Sequence, residues 1–391
     1  MAAHTSQRIR RFRFERPQKI AAALLFVLLA QCLWIVAHRS LSGTDYQFAR
    51  CGREIWEKPS PLTGYFTTCG NISDGTLAYR AAGLPLSIER MLMGQASSTS
   101  TWEMRHEVGY IHLLLVSLFM LAGLALGGCI WWVTRRLYGD SGGYIALALY
   151  CFSPEVVRAC TYPNNEILAA LGLFALIYTA IGVAHAMQGP VRKWRPRIVL
   201  LTVIFGFTAA AHVSTFLLGL LLSLVLMGYL AEGRRSYLPT LLILWVCGAL
   251  FLLFASYAFH PDAFSYVFRS AAGKLWFSMD AMRTFFSSLS NAATTIAAAG
   301  ALALYAAIRR SRYFGNTAPL AIAVFLMLLV TTGAKSEPWL WALPFLLTFI
   351  AGIYADMLDL PRYRKPFLWI TGGLVTTQAV LGLASLPGLL R

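Results

Sequence analysis

The sequence predicts an all-α protein that crosses a membrane many times. Of its 391 residues, 58% are hydrophobic and only 13% are charged, whereas a soluble domain is about half apolar and a quarter charged. About eleven apolar stretches approach the length that a helix needs to cross a bilayer. Basic clusters fall at every second gap between these stretches, and this alternation is typical of a polytopic membrane protein.

The predicted spans run along the whole chain, so we treat residues 1–391 as a single transmembrane domain. The segment Ile198–Leu230 is too long for one helix, and it predicts either a tight hairpin that turns near His212 or a re-entrant pair. The predicted spans are Ile20–Ala37, Val108–Thr134, Gly142–Val157, Ile167–Met187, Ile198–Ala211, Thr215–Leu230, Leu238–Phe259, Ala292–Ile308, Pro319–Thr332, Leu340–Ala355 and Phe367–Leu386.

The first span is expected to stay in the protein. A cleaved signal peptide has an apolar core of about 7–15 residues and then a small-residue cleavage site. The run Ile20–Ala37 is longer than this, and no clean site follows it. The basic arm Arg8–Arg13 precedes the run and predicts a cytoplasmic N-terminus.

The charge distribution predicts the orientation of the remaining chain. With the N-terminus in the cytoplasm, every basic cluster faces the cytoplasm, which requires an odd number of spans and an external C-terminus. The net charge of +16 is then explained by topology and by anionic lipid headgroups, so we expect no nucleic-acid partner. The clusters after the first span are Arg135–Arg136, Arg192–Arg195, Arg234–Arg235, Arg309–Arg312 and Arg362–Lys365.

A long polar loop, residues 38–107, follows the first span and is predicted to be periplasmic or luminal. It contains aromatic residues and charges of both signs, so we expect it to fold against the membrane domain. Cys51 and Cys69 share this loop, and they could form a disulfide in an oxidising compartment. No Cys/His spacing in the chain resembles a zinc site.

Asp45 is the first candidate for chemistry, because it is expected near the external membrane surface. A carboxylate there could take a proton from an acceptor hydroxyl or bind a divalent cation. The alternative is a helix N-cap or a solvated charge. Arg53 could bind phosphate oxygens through its forked guanidinium, or it could pair with Glu54 or Glu57.

Glu155, Arg158 and Glu166 lie around the junction of the third and fourth predicted spans. Ionisable residues near membrane depth are costly unless they are paired or functional. Glu155 and Arg158 could therefore be part of a site, or they could form an i,i+3 pair. Glu166 could bind substrate, or it could favour the positive end of the following helix dipole.

Two later residues complete the candidate set. His212 interrupts an apolar run and could bind phosphate or position an acceptor, although such an imidazole often hydrogen-bonds between helices. Lys335 is the basic residue of a late external loop. It could neutralise a lipid-linked phosphate, or it could pair with Glu337.

The arrangement resembles the GT-C glycosyltransferases, the superfamily of protein O-mannosyltransferases, aminoarabinose transferases and oligosaccharyltransferases. The resemblance covers roughly residues 15 to 355 and lies first in the topology, with one span, a long external loop with an early acid, and then many spans. Three local stretches are also similar to that family, namely Arg135–Gly139 followed by Ser153-Pro154, His212–Thr215, and Lys335–Pro344.

The resemblance implies roles for the candidate residues. Asp45 falls at the place of the family's catalytic base or metal ligand, although Tyr46 stands where the family often has Glu. Glu155 or Glu166 would be the second loop acid, and Lys335 would steady the donor phosphate where the family often has Arg. We therefore assign Asp45 and Glu155 to catalysis. Substrate binding is assigned to Arg53, Arg158, Glu166, His212 and Lys335.

The function implied by this resemblance is transfer of a sugar from a polyprenyl-phosphate donor to a lipid, glycan or protein acceptor. A divalent ion, Mg²⁺ or Mn²⁺, could assist at Asp45. The expected location is a bacterial inner membrane with the active face in the periplasm. Two alternatives stay open: a transporter or flippase of an amphipathic substrate, which the absence of a clear internal repeat disfavours, and a non-catalytic membrane subunit with a degenerate GT-C fold.

Overall fold

A computed structural model describes residues 15–57, 72, 75–93, 108–189, 191–231, 235–271, 275–307, 313–331 and 337–390. Within these ranges the chain is almost wholly helical, as predicted. Two short antiparallel strands, β1 (Leu275–Phe277) and β2 (Leu329–Thr331), are the exception. The helices are α1 Arg16–His38, α2 Gly43–Glu57, α3 Leu77–Met93, α4 Val108–Cys151, α5 Pro154–Thr161, α6 Glu166–Met187, α7 Val191–Ala211, α8 Val213–Leu230, α9 Leu238–Ser256, α10 Pro261–Ala271, α11 Asp280–Ser287, α12 Ala292–Ala307, α13 Tyr313–Met327, α14 Glu337–Leu358 and α15 Arg364–Ser385.

Eight helical segments of the described ranges are long and apolar enough to cross a membrane, which makes this an integral membrane protein. Two shorter apolar helices, Pro196–Ala211 and Gly315–Met327, accompany them. The second and third predicted spans form the two halves of α4, which bends at Gly139. Gly139 has a φ of 84°, a conformation that glycine adopts without a steric penalty. The total of eleven spans stays a prediction.

The third predicted span ends earlier than the sequence suggested. We expected it to reach Val157, but α4 ends at Cys151 and the separate helix α5 begins at Pro154. Proline has no backbone N–H to donate and disfavours a helical conformation in the residue before it, so Ser153 is extended. Glu155 therefore lies on a short helix of its own.

Two buried glutamines satisfy the backbone at this break. The side-chain amide of Gln31 donates to the Cys151 carbonyl at 3.1 Å, and that of Gln378 donates to the Phe152 carbonyl at 3.1 Å. Gln378 also donates to the Ser290 carbonyl at 3.2 Å. Because hydrocarbon offers no hydrogen bonds to a broken helix, these amides allow α4 to end inside the helix bundle.

Helix α14 is the centre of the bundle. Every residue of its membrane-spanning window is buried, whereas only 17% of the α15 window is. Trp341, Phe345 and Phe349 are among the largest fully buried side chains of the protein. Large apolar residues on α15 are instead exposed, Trp369 by 81%, which places that helix at the lipid-facing periphery.

Helices α2 and α3, from the predicted long loop, cross at two glycines. A Cβ on Gly52 would lie 2.3 Å from the Tyr79 carbonyl oxygen, and a Cβ on Gly83 would lie 2.0 Å from the Gly52 backbone. Only glycine permits such a close backbone approach. The pair is tied to the membrane helices by Arg80, whose Nε and Nη2 donate to the carbonyl of Ser256, the last residue of α9, at 3.0 and 2.6 Å.

The first half of α4, from Val108 to the kink at Gly139, runs between two polar regions. Near its start, the His112 ring contacts the Val36 carbonyl at 3.2 Å, and we call this side the Arg39 end after the neighbouring residue. Near the kink, Arg135 pairs with Asp140 at 2.6 Å, and we call this side the Arg135 end. The intervening helix spans about 35 Å at 1.5 Å per residue, which matches the thickness of a bilayer.

Replacing Gly52 by alanine is expected to destabilise the protein, because the added methyl group cannot fit against the α3 backbone. The control is Gly128→Ala, where a Cβ meets nothing within 4 Å. Thermal unfolding in detergent should show a Tm lowered by several degrees for the first variant and little change for the second. Equal Tm values would contradict the backbone contact.

Replacing Gln378 by leucine is expected to cost about 1–3 kcal/mol of stability, because it leaves buried carbonyls without donors. The matched control is Gln188→Leu, which removes a long, exposed bond of 3.4 Å to the Leu230 carbonyl. Denaturant unfolding of the purified variants measures the difference. A Gln378 variant as stable as the control would show that the helix break does not depend on this amide.

Candidate active site

A buried ion pair lies at the Arg39 end of the bundle. Arg39 directly follows α1, and Asp45 lies in the first turn of α2. The Arg39 Nη2 donates to Asp45 Oδ2, and the two side chains are only 3% and 1% exposed. A buried charge is tolerated when it is paired in this way.

Asp45 Oδ2 also accepts two bonds from Ser42. The backbone N–H and the hydroxyl of Ser42 donate to this oxygen at 2.7 and 2.8 Å. This geometry is that of an acid in the first turn of a helix which bonds back to the preceding cap residue. The other oxygen, Oδ1, is buried and has no hydrogen-bond partner among the described residues. Capping therefore accounts for only one of the two carboxylate oxygens.

The guanidinium of Arg39 connects this carboxylate to α5. Its Nη1 donates to the Thr161 carbonyl at 2.9 Å, and its Nε donates to the Ser40 carbonyl at 3.3 Å. Its planar face lies over the Tyr162 ring, 3.6 Å from the centroid. The Tyr162 hydroxyl in turn donates to the Leu389 carbonyl at 2.9 Å. Elements from both halves of the sequence therefore meet around one arginine.

Sequence reasoning missed two members of this cluster, Arg39 and His112. His112 is fully buried, and its charge would interact with both Arg39 and Asp45. A signal was present for each: His112 is ionisable at membrane depth, and Arg39 is a basic residue at the end of the first span where the positive-inside rule expects none.

The predicted second acid, Glu155, lies on the same short helix as Thr161. Burial raises the pKa of Glu155, and the nearby charge of Arg158 opposes this by lowering it. The Arg158 side chain is exposed. Because Arg39 binds the C-terminal end of α5, the helix that carries Glu155 is fastened to the helix that carries Asp45.

Glu166 lies in the first turn of α6. The Asn164 side-chain oxygen accepts from the Glu166 N–H at 2.9 Å and from the Ile167 N–H at 3.3 Å, so Asn164 caps this helix. The Glu166 carboxylate at the positive end of the helix dipole is favourable, and this accounts for its position without a substrate.

The remaining candidates have partners other than the ion pair or lie outside the described residues. Arg53 is buried and pairs with Glu57 at 2.9 Å. His212 is the extended residue between α7 and α8, where the sequence predicted a turn. Its ring makes a T-shaped contact with Trp341, with ring centroids 5.1 Å apart. Lys335 lies outside the described residues.

Of the two cysteines in the predicted disulfide, only Cys51 lies among the described residues. Cys51 is disulfide-bonded, and Cys69 lies outside the described residues, so the pairing stays a prediction. The described cysteines other than Cys51 are free. Within the described ranges no three His, Cys, Asp or Glu side chains are grouped to hold a metal.

The sequence matches no protein-family model and no curated protein, but its fold matches solved structures. ArnT from Cupriavidus metallidurans in the apo state superposes with a TM-score of 0.61 at 14% identity, over 96% of this chain and 76% of that one. The same enzyme bound to undecaprenyl phosphate gives 0.60 at 14% identity, over 94% and 75%.

The oligosaccharyltransferase of Archaeoglobus fulgidus, in a complex with Zn and sulfate, gives a TM-score of 0.58 at 13% identity. The match covers 94% of this chain and 53% of that one, so the present chain spans about half of the archaeal enzyme. Both structures match more than nine tenths of this chain. The chain therefore has the fold of the GT-C membrane glycosyltransferases, as the sequence predicted.

Proposed function

We propose that this protein transfers a sugar from a polyprenyl-phosphate donor to an acceptor hydroxyl at the Arg39 end of the bundle. The main support is the buried carboxylate of Asp45. Its Oδ2 is held by hydrogen bonds, and its Oδ1 lacks a hydrogen bond among the described residues. A shared fold alone does not imply an activity, so the argument rests on this site.

Asp45 is suited to the role of general base. A hydroxyl that donates to Oδ1 would satisfy a buried acceptor whose desolvation is otherwise uncompensated. As the acceptor oxygen forms its bond to the anomeric carbon, its proton passes to Asp45, and the bond from that carbon to the phosphate oxygen breaks. Arg39 and Ser42 hold the carboxylate in place while this happens.

An exposed cation on α5 suits the departing phosphate. Arg158 is exposed, and a guanidinium stabilises phosphate oxygens better in the transition state, where negative charge accumulates on the leaving group. Arg53 and Lys335 are further candidates for this role. Glu155 would assist as the second acid, and Glu166 and His212 would contact the substrates.

The structural neighbours support a lipid-linked donor. ArnT was crystallised with undecaprenyl phosphate, and the archaeal oligosaccharyltransferase was tethered to an acceptor peptide. We extend the first to this chain as a polyprenyl-phosphate donor and leave the acceptor as a lipid, a glycan or a protein. No step is assigned to a metal ion, because the described residues around Asp45 do not group as ligands.

The proposed location is a bacterial inner membrane with the active face in the periplasm. Asp45 lies close to His112, near the start of α4, and Arg135 lies about 35 Å further along that helix. Basic loops favour the cytoplasm, so the Arg39 end would face outwards. This supports a donor whose sugar is presented in the outer leaflet.

Asp45→Asn is expected to lower transfer by about 10²–10⁴-fold, because an amide cannot accept the hydroxyl proton. The measurement is mass spectrometry of envelope lipids, glycans and proteins in a deletion strain complemented with each variant. Membrane levels are matched by immunoblot. The control is Asp140→Asn, which removes a carboxylate from the Arg135 end.

Loss of a sugar adduct in the Asp45 variant, with the adduct kept in the Asp140 variant, supports the assignment. An unchanged adduct in the Asp45 variant would make Asp45 a purely structural ion-pair partner. Substrate flux without transfer in proteoliposomes would instead indicate a transporter.

The transfer rate is expected to fall at low pH, and we expect this fall, the acid limb of the pH profile, to depend on the ionisation of Glu155. If Glu155 works ionised, the rate falls as pH drops through its pKa, and burial places that fall at a higher pH than for an ordinary glutamate. Arg158→Gln removes a charge that lowers this pKa, so the limb should move to still higher pH.

The pH profile is recorded in proteoliposomes with the ¹⁴C-labelled undecaprenyl-phosphate sugar that supports transfer. Arg136→Gln, at the Arg135 end, is the control and should leave the limb in place. An acid limb that persists unmoved in Glu155→Gln and in Arg158→Gln would remove Glu155 from the mechanism.

A further inference from the structure

We propose that Arg39 is a positioning residue, which holds Asp45 in its reactive orientation and fastens the Asp45 helix to the Glu155 helix. This inference rests on the proposed function. Arg39 carries no sequence motif, and the case for it comes from the contacts of its guanidinium.

The guanidinium is restrained on every side. Nη2 binds Asp45 Oδ2, Nη1 binds the Thr161 carbonyl at 2.9 Å, and Nε binds the Ser40 carbonyl at 3.3 Å. The ring of Tyr162 lies beneath its face at 3.6 Å. An arginine with this many fixed contacts has little rotamer freedom left, and its planar fork sets the direction of the bond to Asp45.

These contacts favour a positioning role over a substrate-binding role. Each of the three side-chain nitrogens of Arg39 already donates to a protein oxygen, whereas Asp45 Oδ1 has no hydrogen-bond partner among the described residues. Arg158, by contrast, is exposed and can meet a phosphate. Separating Arg39 from Asp45 would leave a buried charge unpaired, which is far more costly than losing a surface pair.

The position of Arg39 in the sequence also needs an explanation. It directly follows the first span at the end opposite to the basic arm, where the positive-inside rule disfavours a cation. Topology therefore gives no reason for an arginine here. Its pairing with Asp45 inside the protein does give one.

As a consequence, the two carboxylate oxygens of Asp45 have different roles. Arg39 and Ser42 both bind Oδ2, which fixes the carboxylate plane. Oδ1 is the oxygen left for an acceptor hydroxyl. A shift of about 1 Å in such a group can cost on the order of 10²-fold in rate, so the orientation matters as much as the charge.

The second consequence is a link between two helices. Thr161 is the last residue of α5, and a cation at the carbonyl end of a helix is favourable. Glu155 lies at the other end of the same eight-residue helix. Arg39 therefore sets the spacing between the two proposed acids.

The experiment is a double-mutant cycle with Arg39→Gln, Asp45→Asn and the double variant, together with Arg39→Lys. Steady-state kinetics use the labelled undecaprenyl-phosphate sugar in proteoliposomes, and Tm is recorded for every variant. We expect Arg39→Gln to lower kcat by about 10–100-fold with KM nearly unchanged. In the Asp45→Asn background the same change should have no further effect on kcat.

Arg39→Lys should recover part of kcat, since lysine keeps the charge but cannot bind Asp45 and Thr161 in the same fork. The matched control is Arg135→Gln, which breaks an exposed pair at the other end of the bundle and should leave kcat unchanged. This control separates the loss of an arginine from the loss of this arginine.

Equal losses of kcat from Arg39→Gln in both backgrounds would overturn the inference, because they would show a general structural effect. Full kcat in Arg39→Gln with none in Asp45→Asn would also overturn it, while leaving the proposed function intact. Full kcat in Asp45→Asn would instead contradict the proposed function.

If Arg39→Gln does not fold, the cycle is repeated with Tyr162, whose ring packs against the guanidinium and whose replacement keeps both members of the ion pair. Tyr162→Leu should lower kcat only in the presence of Asp45, and Tyr162→Phe, which keeps the ring, should retain most of it. A loss from Tyr162→Leu that is the same with and without Asp45 would count against the inference.

Discussion

The ion pair between Arg39 and Asp45 is the contact on which the rest of the site depends. It brings together the end of α1, the start of α2 and the end of α5, and Tyr162 extends the cluster to the turn around Leu389. In a low-dielectric interior, each charge is tolerable only because the other is present. Moving any one of these segments away would break contacts of the pair and leave a buried charge without its partner.

The same constraint shapes the apolar part of the bundle. Where α4 stops at Cys151, the freed carbonyls are met by the amides of Gln31 and Gln378, because lipid cannot supply donors. These polar side chains make a short helix possible at this point. Without the break, Glu155 would continue along the membrane helix instead of lying on the short helix whose last residue binds Arg39.

The fold was largely predictable, because apolar length and basic clusters report directly on bilayer crossing. The break at His212 was predicted, because a polar residue interrupts an apolar run there. The helix end before Pro154 was not, since the third span was expected to reach Val157. Asp45 became a candidate because it is expected near the external membrane surface, and Glu155 because ionisable residues near membrane depth are unusual; their roles stay predictions. Arg39 was overlooked, since its role comes from contacts with Thr161 and Tyr162 that are more than a hundred residues away in sequence, and no local pattern encodes them.

The close contact of α2 and α3 at their glycines affects the position of the Asp45 carboxylate, because Asp45 lies on α2. Gly52 and Asp45 are seven residues apart, which is about 10 Å along a helix, so a tilt of about ten degrees at the crossing would swing Asp45 by about 2 Å. The close backbone contact at Gly52 and Gly83 would therefore help to keep Asp45 in place. A movement of α9 would reach the same helix pair through the hydrogen bonds from Arg80 on α3 to the Ser256 carbonyl.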